Sequence, residues 1–157
     1  MAYQKLQAYR ALTVFKNNDI DIPNPAMLAI SSTTTATSAG KLVDSAGDFI
    51  NKGVKIGDII YNITQAVPHD VTAIDSATEL SVTGAPVSGD VYKLYANVDA
   101  PNNGCVLYVG GAGNLDIITA GGDNVLLTGV LAGSFIPVQV TRVKRSSTTA
   151  TDIVALW

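Results

Sequence analysis

The sequence predicts an all-β protein: an antiparallel β-sandwich or barrel domain that carries an inserted small, SH3-like β-barrel module. Three observations predict it. Over residues 105–157, short β-branched runs alternate with Gly, Asn, Asp and Ser turns at a period of about a dozen residues or less. The composition holds twelve Asp but one Glu, with abundant Thr, Ser, Gly and Val, which favours turns and strands over helices. Two proline/asparagine stretches, Pro23-Asn24-Pro25 and Pro101-Asn102-Asn103-Gly104, bracket a segment of different texture.

Residues 1–25 read as one strand and its exit. Tyr9, Ala11, Thr13 and Phe15 alternate with Arg10, Leu12, Val14 and Lys16, so both faces carry apolar members and cover on both sides is expected. Asn17-Asn18-Asp19 reads as a turn. Ile20 and Ile22 share one face of a short strand that Pro23 stops, because proline cannot donate to a ladder.

Residues 26–98 read as the module. Ser31 to Ser38 is a run of Ser, Thr and Ala, either a strand of Thr side chains or a flexible entry. Asp44 or Ser45 can cap a single turn that lets Phe49 pack inward. A strand with a kink at Gly57 follows and reaches Asn62. Further strands are expected at Val71–Ile74, Glu79–Val82 and Val91–Tyr95. Domain insertion succeeds at exposed turns whose ends lie close. Residues 1–25 and 99–157 are therefore expected to form one discontinuous β-sandwich, the anchor and assembly domain, with 26–98 inserted.

In the last third, Cys105 opens an apolar run through Val109, and Gly110, Gly111 and Gly113 follow it. A dinucleotide loop needs a different glycine spacing and a helix next, whereas residues 115–119 are β-branched. A tight β-turn with glycines at positive φ is the expectation. The strand at 125–127 and the terminal strand at 153–157 carry apolar side chains on both faces. A domain of this size has too little interior to cover them. Leu126, Ile153 and Trp157 are therefore the candidate assembly-interface residues, contacting other copies of the chain.

No catalytic, cofactor-binding or metal-binding residue is expected. His69 is the only histidine and follows a proline, so an exposed loop position is expected; Cys105 reads as a small buried hydrophobe. Asp19 with Asp21, and Asp44 with Asp48, could serve a structural calcium, but turn chemistry explains these positions without one. A net charge of −3 argues against nucleic acid as a partner. Arg142, Lys144 and Arg145 read as a solvated face. The start of the chain has no apolar run of the signal-peptide kind, and no stretch approaches the length of a membrane span.

Residues 107–113, 120–123, 131–143 and 147–157 together resemble small phage virion proteins, in particular the head-spike base proteins of phages and gene transfer agents. In that family a short strand like residues 11–14, then an Asp-Ile-Pro turn like Asp21-Ile22-Pro23, runs almost directly into the Tyr-Val-Gly-Gly motif, here Tyr108 to Gly111. About 75 residues intervene here, and these are similar to a β-module recurrent in phage structural proteins. The resemblance implies a virion component made in the host bacterial cytoplasm. It would self-assemble as a trimer or pentamer and attach to the major capsid protein or another virion protein. A receptor- or carbohydrate-binding module of a tail or fibre is the alternative. It would need exposed aromatics, for which Tyr61, Tyr92 and Tyr95 are the candidates.

Overall fold

A computed structural model describes residues 8–157; the expectation for the chain start, which rests on residues 1–7, lies outside the described residues. The fold is all-β, with about half of the chain in strands, in two antiparallel sheets without a closed barrel. By residue contacts the chain divides into two compact units, residues up to 25 with 102–157, and residues 26–101. In chain order, β1 (Ala11–Thr13) precedes a 3-10 turn at Pro25–Met27. The second unit holds β2 (Leu28–Thr33), β3 (Ala36–Ser38), β4 (Lys41–Val43), β5 (Ile59–Asn62), β6 (Val67–Ile74), β7 (Glu79–Val82) and β8 (Val91–Tyr95). The first is completed by β9 (Cys105–Gly111), β10 (Gly113–Thr119), β11 (Asn124–Val130), β12 (Ser134–Val143) and β13 (Thr151–Leu156).

The first unit is one six-stranded sheet in the order β1-β13-β9-β12-β10-β11. Its long strand β12 changes partner. Ser134, Phe135 and Ile136 pair with Val109, Tyr108 and Leu107 of β9, whereas Arg142 and Val143 pair with Ile118 and Ile117 of β10. The register breaks between Ile136 and Val140, the interval that holds Pro137. A residue without an N–H is tolerated where the ladder is interrupted. A strand that changes partners through such a break turns a corner, and the sheet's inner face then encloses its own core. Cys105, Leu107 and Val109 enter it from β9, Leu115 and Ile117 from β10, Ile153 and Ala155 from β13. Their spacing of two is the pleat itself.

The glycines after Tyr108 do not make the expected hairpin turn. β9 and β10 are not neighbours, because β12 lies between them. Gly110 and Gly111 are in β9 itself, and β13 runs against them. A Cβ at Gly110 would lie 2.8 Å from Asp152 Cβ, one at Gly111 2.0 Å from Thr151 Oγ1, and one at Gly113 2.5 Å from the Ala150 nitrogen. Close backbone approach, rather than a turn, is what demands glycine here.

Two further expectations change in this unit. β1 is only three residues long and is an edge strand; Ala11 and Thr13 are exposed, so it is not covered on both sides. Ile20 and Ile22 are buried but form no strand. Instead Asn17 Oδ1 accepts the Asp19 and Ile20 N–H groups, at 2.8 and 3.0 Å, and the Ile22 N–H donates to the Thr141 carbonyl. The loop is fastened to the end of β12 by Arg142, whose Nε donates to Asp21 Oδ1 at 2.8 Å and whose Nη1 donates to the Asn18 carbonyl at 2.9 Å. Arg142 is thus an internal clamp rather than part of a free basic face.

The second unit is a seven-stranded sheet in the order β2-β8-β5-β6-β7-β4-β3. It is open, not the closed barrel expected: β2 and β3 are its two edges. They are consecutive in the chain and joined only through Thr34 and Thr35. Three Cα steps span at most roughly 11 Å, so the sheet must curl to bring its edges together. The curled sheet wraps Ile30, Leu42, Phe49, Ile60, Leu80, Tyr92 and Leu94. Asp44 Oδ1 accepts the Ala46 N–H at 2.9 Å and the Asp44 carbonyl accepts the Gly47 N–H, which forms the single turn that delivers Phe49 to the core. The run at 31–38 is strand in β2 and β3, except for the Thr34-Thr35 link between them.

Replacement of Gly111 by Ala should destabilise the protein by about 1–3 kcal/mol, as for other overpacked sites. Urea unfolding checks this. Unchanged stability would show that β13 can draw back from β9 at no cost.

Candidate assembly surface

Residues paired across neighbouring strands point to the same face of a sheet. On β9 the side chains of Cys105, Leu107 and Val109 face the core, so Val106 and Tyr108 face outward. Phe135, Tyr108 and Val154 are successive cross-strand partners over β12, β9 and β13, and the row continues to Thr13 of β1. Val106, Leu156 and Ala11 form the adjacent row. Neither row contains a charge. Phe135 is 62 % exposed, and its ring meets that of Tyr108 at 5.3 Å between centroids, tilted by 57°. Tyr108, Val154 and Leu156 are half-buried. The two rows form a mostly apolar, charge-free patch on paired strands, bordered by the exposed Asp152 of β13, and exposed apolar patches are candidate interaction sites.

The opposite edge of the same sheet is β11. It pairs with β10 on one side only, and an unpaired edge presents open N–H and C=O groups. Val125 and Leu126 are exposed there, while Leu127 and Val130 pack against the core. Leu131 in the following turn is 72 % exposed.

The three candidate interface residues thus have three different placements. Leu126 is exposed on the open edge. Ile153 is buried in the core of its own unit, so it belongs to no exposed face; its strand puts Val154 and Leu156 outward instead. Trp157 is half-buried against the core, and its Nε1 donates to Asn102 Oδ1 at 3.2 Å. Its backbone closes on β1's approach, donating to the Arg10 carbonyl and accepting from Tyr9 N–H. The Tyr108–Phe135 pair was missed. The signal for it was the continuous apolar run of β9, whose alternate members must leave the core if the others enter it.

The remaining chemistry-bearing residues have structural surroundings. Cys105 is buried, its thiol donates to the Val140 carbonyl at 3.2 Å, and burial pushes its pKa up to about 12, against the smaller opposing effect of Asn102. A thiol held neutral is a poor nucleophile. Asp21 is engaged by Arg142, and Asp44 accepts the buried Tyr92 hydroxyl at 2.7 Å. Burial opposes ionisation of Asp44, but hydrogen bonds from Ser32, Tyr92 and the Ala46 N–H outweigh it and hold its pKa below the ordinary value. Among the described residues no group of three or more His, Cys, Asp or Glu is placed to hold a metal ion. No helix among them is long and apolar enough to cross a membrane. Tyr61, Tyr92 and Tyr95 are all buried, so none presents a ring to a sugar.

His69 is not in an exposed loop. It lies within β6, is 4 % exposed, and faces the Thr83 carbonyl through Nδ1 at 3.1 Å. Its neighbour Pro68 pairs with Tyr61 on one side, while the ladder to β7 starts only at Val71, so the missing N–H is tolerated. Gly84 is required above the imidazole, because a Cβ there would lie 2.2 Å from Nδ1. Since Nδ1 must donate to the carbonyl, Nε2 is the bare nitrogen, and it is buried without a hydrogen-bond partner.

Comparison with protein-family models, with curated proteins and with solved structures finds no match for this chain.

The burial of His69 gives the fold a pH dependence. Desolvation lowers its pKa below 6.5, against the opposing effects of the Thr83 carbonyl and Asp90. The unfolded chain therefore takes up the proton first. The contribution of the neutral ring to stability is complete above pH 6.5 and is lost as pH falls through the lower folded value. Urea unfolding of the wild type should weaken between neutral and mildly acidic pH by more than that of His69→Asn. Parallel pH profiles for the two would show that the ring accepts its proton without cost.

Proposed function

We propose that this protein is a structural subunit of a phage virion, a capsid-decoration or head-spike base protein that associates with its own copies and attaches to the particle through its first unit. The observation that carries this reading is the pair of charge-free rows on the outer face of β12, β9, β13 and β1, bordered by Asp152. The stretches that resemble head-spike base proteins build that face: Tyr108 belongs to one, Phe135 to another, Val154 and Leu156 to a third. An assembly function needs a flat complementary surface rather than a reactive group, and in symmetric oligomers the same patch recurs on each copy. The buried thiol of Cys105 and the buried imidazole of His69 fit a chain whose work is contact rather than catalysis. In this reading the second unit, residues 26–101, is an added outward surface and the first unit is the anchor.

The partner is accordingly another copy of the chain, and then the major capsid protein or a neighbouring virion protein. Phe135→Glu should weaken self-association by roughly 30-fold, the equivalent of about 2 kcal/mol for an aromatic ring no longer buried at a contact. Light scattering across a concentration series measures this. Circular dichroism on the same samples establishes that the variant is folded. A wild-type chain that remains monomeric at tens of micromolar, alone and with capsids, would overturn the proposal.

A further inference from the structure

Three side chains from neighbouring strands meet on one side of the first unit's sheet. Asp116 belongs to β10, Asn124 opens β11, and Lys144 immediately follows β12, with β10 in the middle. The backbone fixes all three. Ile118 pairs with Asn124, Ile117 pairs with Val143, and the Lys144 N–H donates to the Asp116 carbonyl at 2.8 Å. The Asp116 N–H donates to Thr148 Oγ1 at 2.9 Å, which holds its residue from the other side.

The side chains then converge. Lys144 Nζ donates to Asn124 Oδ1 at 2.7 Å. Asn124 Nδ2 donates to Asp116 Oδ1 at 2.6 Å, and Asp116 Oδ2 is 3.8 Å from Lys144 Nζ. Asp116 is 5 % exposed. The result is a closed triangle of an amine, a carboxamide and a largely buried carboxylate. The amine can be no farther from the carboxamide carbon than one short hydrogen bond plus one C=O bond. That bound, roughly 3.9 Å, is a few tenths of an ångström beyond the about 3–3.5 Å from which two groups fixed by a scaffold react as if at very high concentration, a gap that a small rotation of the Lys144 side chain closes.

We propose that Lys144 and Asn124 are the reactants of an intramolecular isopeptide bond, with Asp116 as the catalytic acid/base. Asp116 Oδ2 takes a proton from the Lys144 ammonium. The freed lone pair on Nζ adds to Cγ of Asn124, and the C=O π electrons move to Oδ1. Asp116 then delivers that proton to Nδ2 and takes the second proton from Nζ, which ends on the released ammonia as ammonium. The Cγ–Nδ2 bond breaks, its electron pair leaves on ammonia, and the carbonyl re-forms. One N–C bond is made, one is broken, and no oxidant or further reactant is needed. Asp116 suits both proton transfers because it already holds the leaving nitrogen through Oδ1 and faces the amine through Oδ2. The bond would tie the open edge strand β11 to the end of β12 across β10, independently of whether the protein is a virion subunit.

Intact-mass measurement of the full chain, with sequencing of its proteolytic peptides, tests this. The expected result is a chain lighter than its sequence by one ammonia, either as purified or increasingly on incubation at mildly alkaline pH. A branched peptide should join residue 124 to residue 144. Asparagine can also lose ammonia by closing on its own backbone, so two variants separate the cases. Lys144→Arg must restore the full mass, and Asp116→Ala must slow the loss at least tenfold while circular dichroism shows the chain folded. A folded wild-type chain at full mass throughout, or a loss that survives Lys144→Arg, overturns the proposal.

Discussion

The change of partner along β12 is the constraint on which the first unit depends. One strand serves β9 with its first residues and β10 with its last, and Val140 sits where the two ladders meet, paired with both Cys105 and Thr119. Its side chain is wholly buried. Its carbonyl accepts from the Cys105 thiol at 3.2 Å and from Asn102 Nδ2 at 3.4 Å, so an acceptor at the junction is satisfied by side chains. A buried carbonyl left bare would cost roughly 1–3 kcal/mol. Asn102 has further duties: its Oδ1 accepts from the Gly104 N–H and from Trp157 Nε1. One asparagine thus ties the corner of the sheet to the end of the chain. The outward apolar rows are a by-product of the same corner, since turning the sheet leaves one of its faces outside the core.

The second unit solves its own edge problem with polar side chains. Thr34, in the link between the two edge strands, donates its N–H to the Asp90 carbonyl and accepts the Asp90 N–H on Oγ1, both at 2.9 Å. Asp90 Oδ2 accepts Asn62 Nδ2 at 2.7 Å, Gln65 Nε2 at 2.6 Å and the Val87 N–H at 2.9 Å. Burial disfavours the charge of Asp90, yet these donors hold its pKa below the ordinary carboxylate value. The sheet therefore ends in a knot of side-chain bonds where a closed barrel would carry a strand ladder.

What could be read from the sequence was what depends on local pattern. Period-two alternation and turn residues give the all-β class, most strands of both units though not β4, and the turn at Asp44 that carries Phe49 inward. Placement that depends on distant chain was not readable. The glycines at 110, 111 and 113 look the same in a sequence whether they serve a turn or a close approach, and only the arrival of Thr151 and Asp152 decides it. His69 after Pro68 looks like a loop, because the strand that tolerates this proline is set by where β7 begins to pair. Ile153 and Val154 are equally apolar, and which of them faces outward is fixed by a register no local rule contains. The triangle of Asp116, Asn124 and Lys144 joins residues spread over nearly thirty positions, none of them unusual by itself.

The position of β13 between β1 and β9 governs when the protein can fold as it emerges from a ribosome. Residues 26–101 are contiguous, so their sheet has all its strands as soon as that stretch is made. β1 is synthesised before them but has no partner in its sheet until residues 154–156 exist. It must wait through the making of almost the whole chain, an extended segment with Leu12 and Val14 open to water. Contacts of such long sequence separation are slow to form, and a waiting strand is exposed to association with the wrong neighbour. The shortness of β1, three residues with two on the exposed side, keeps that interval safe: too little edge is offered to template another chain before β13 arrives.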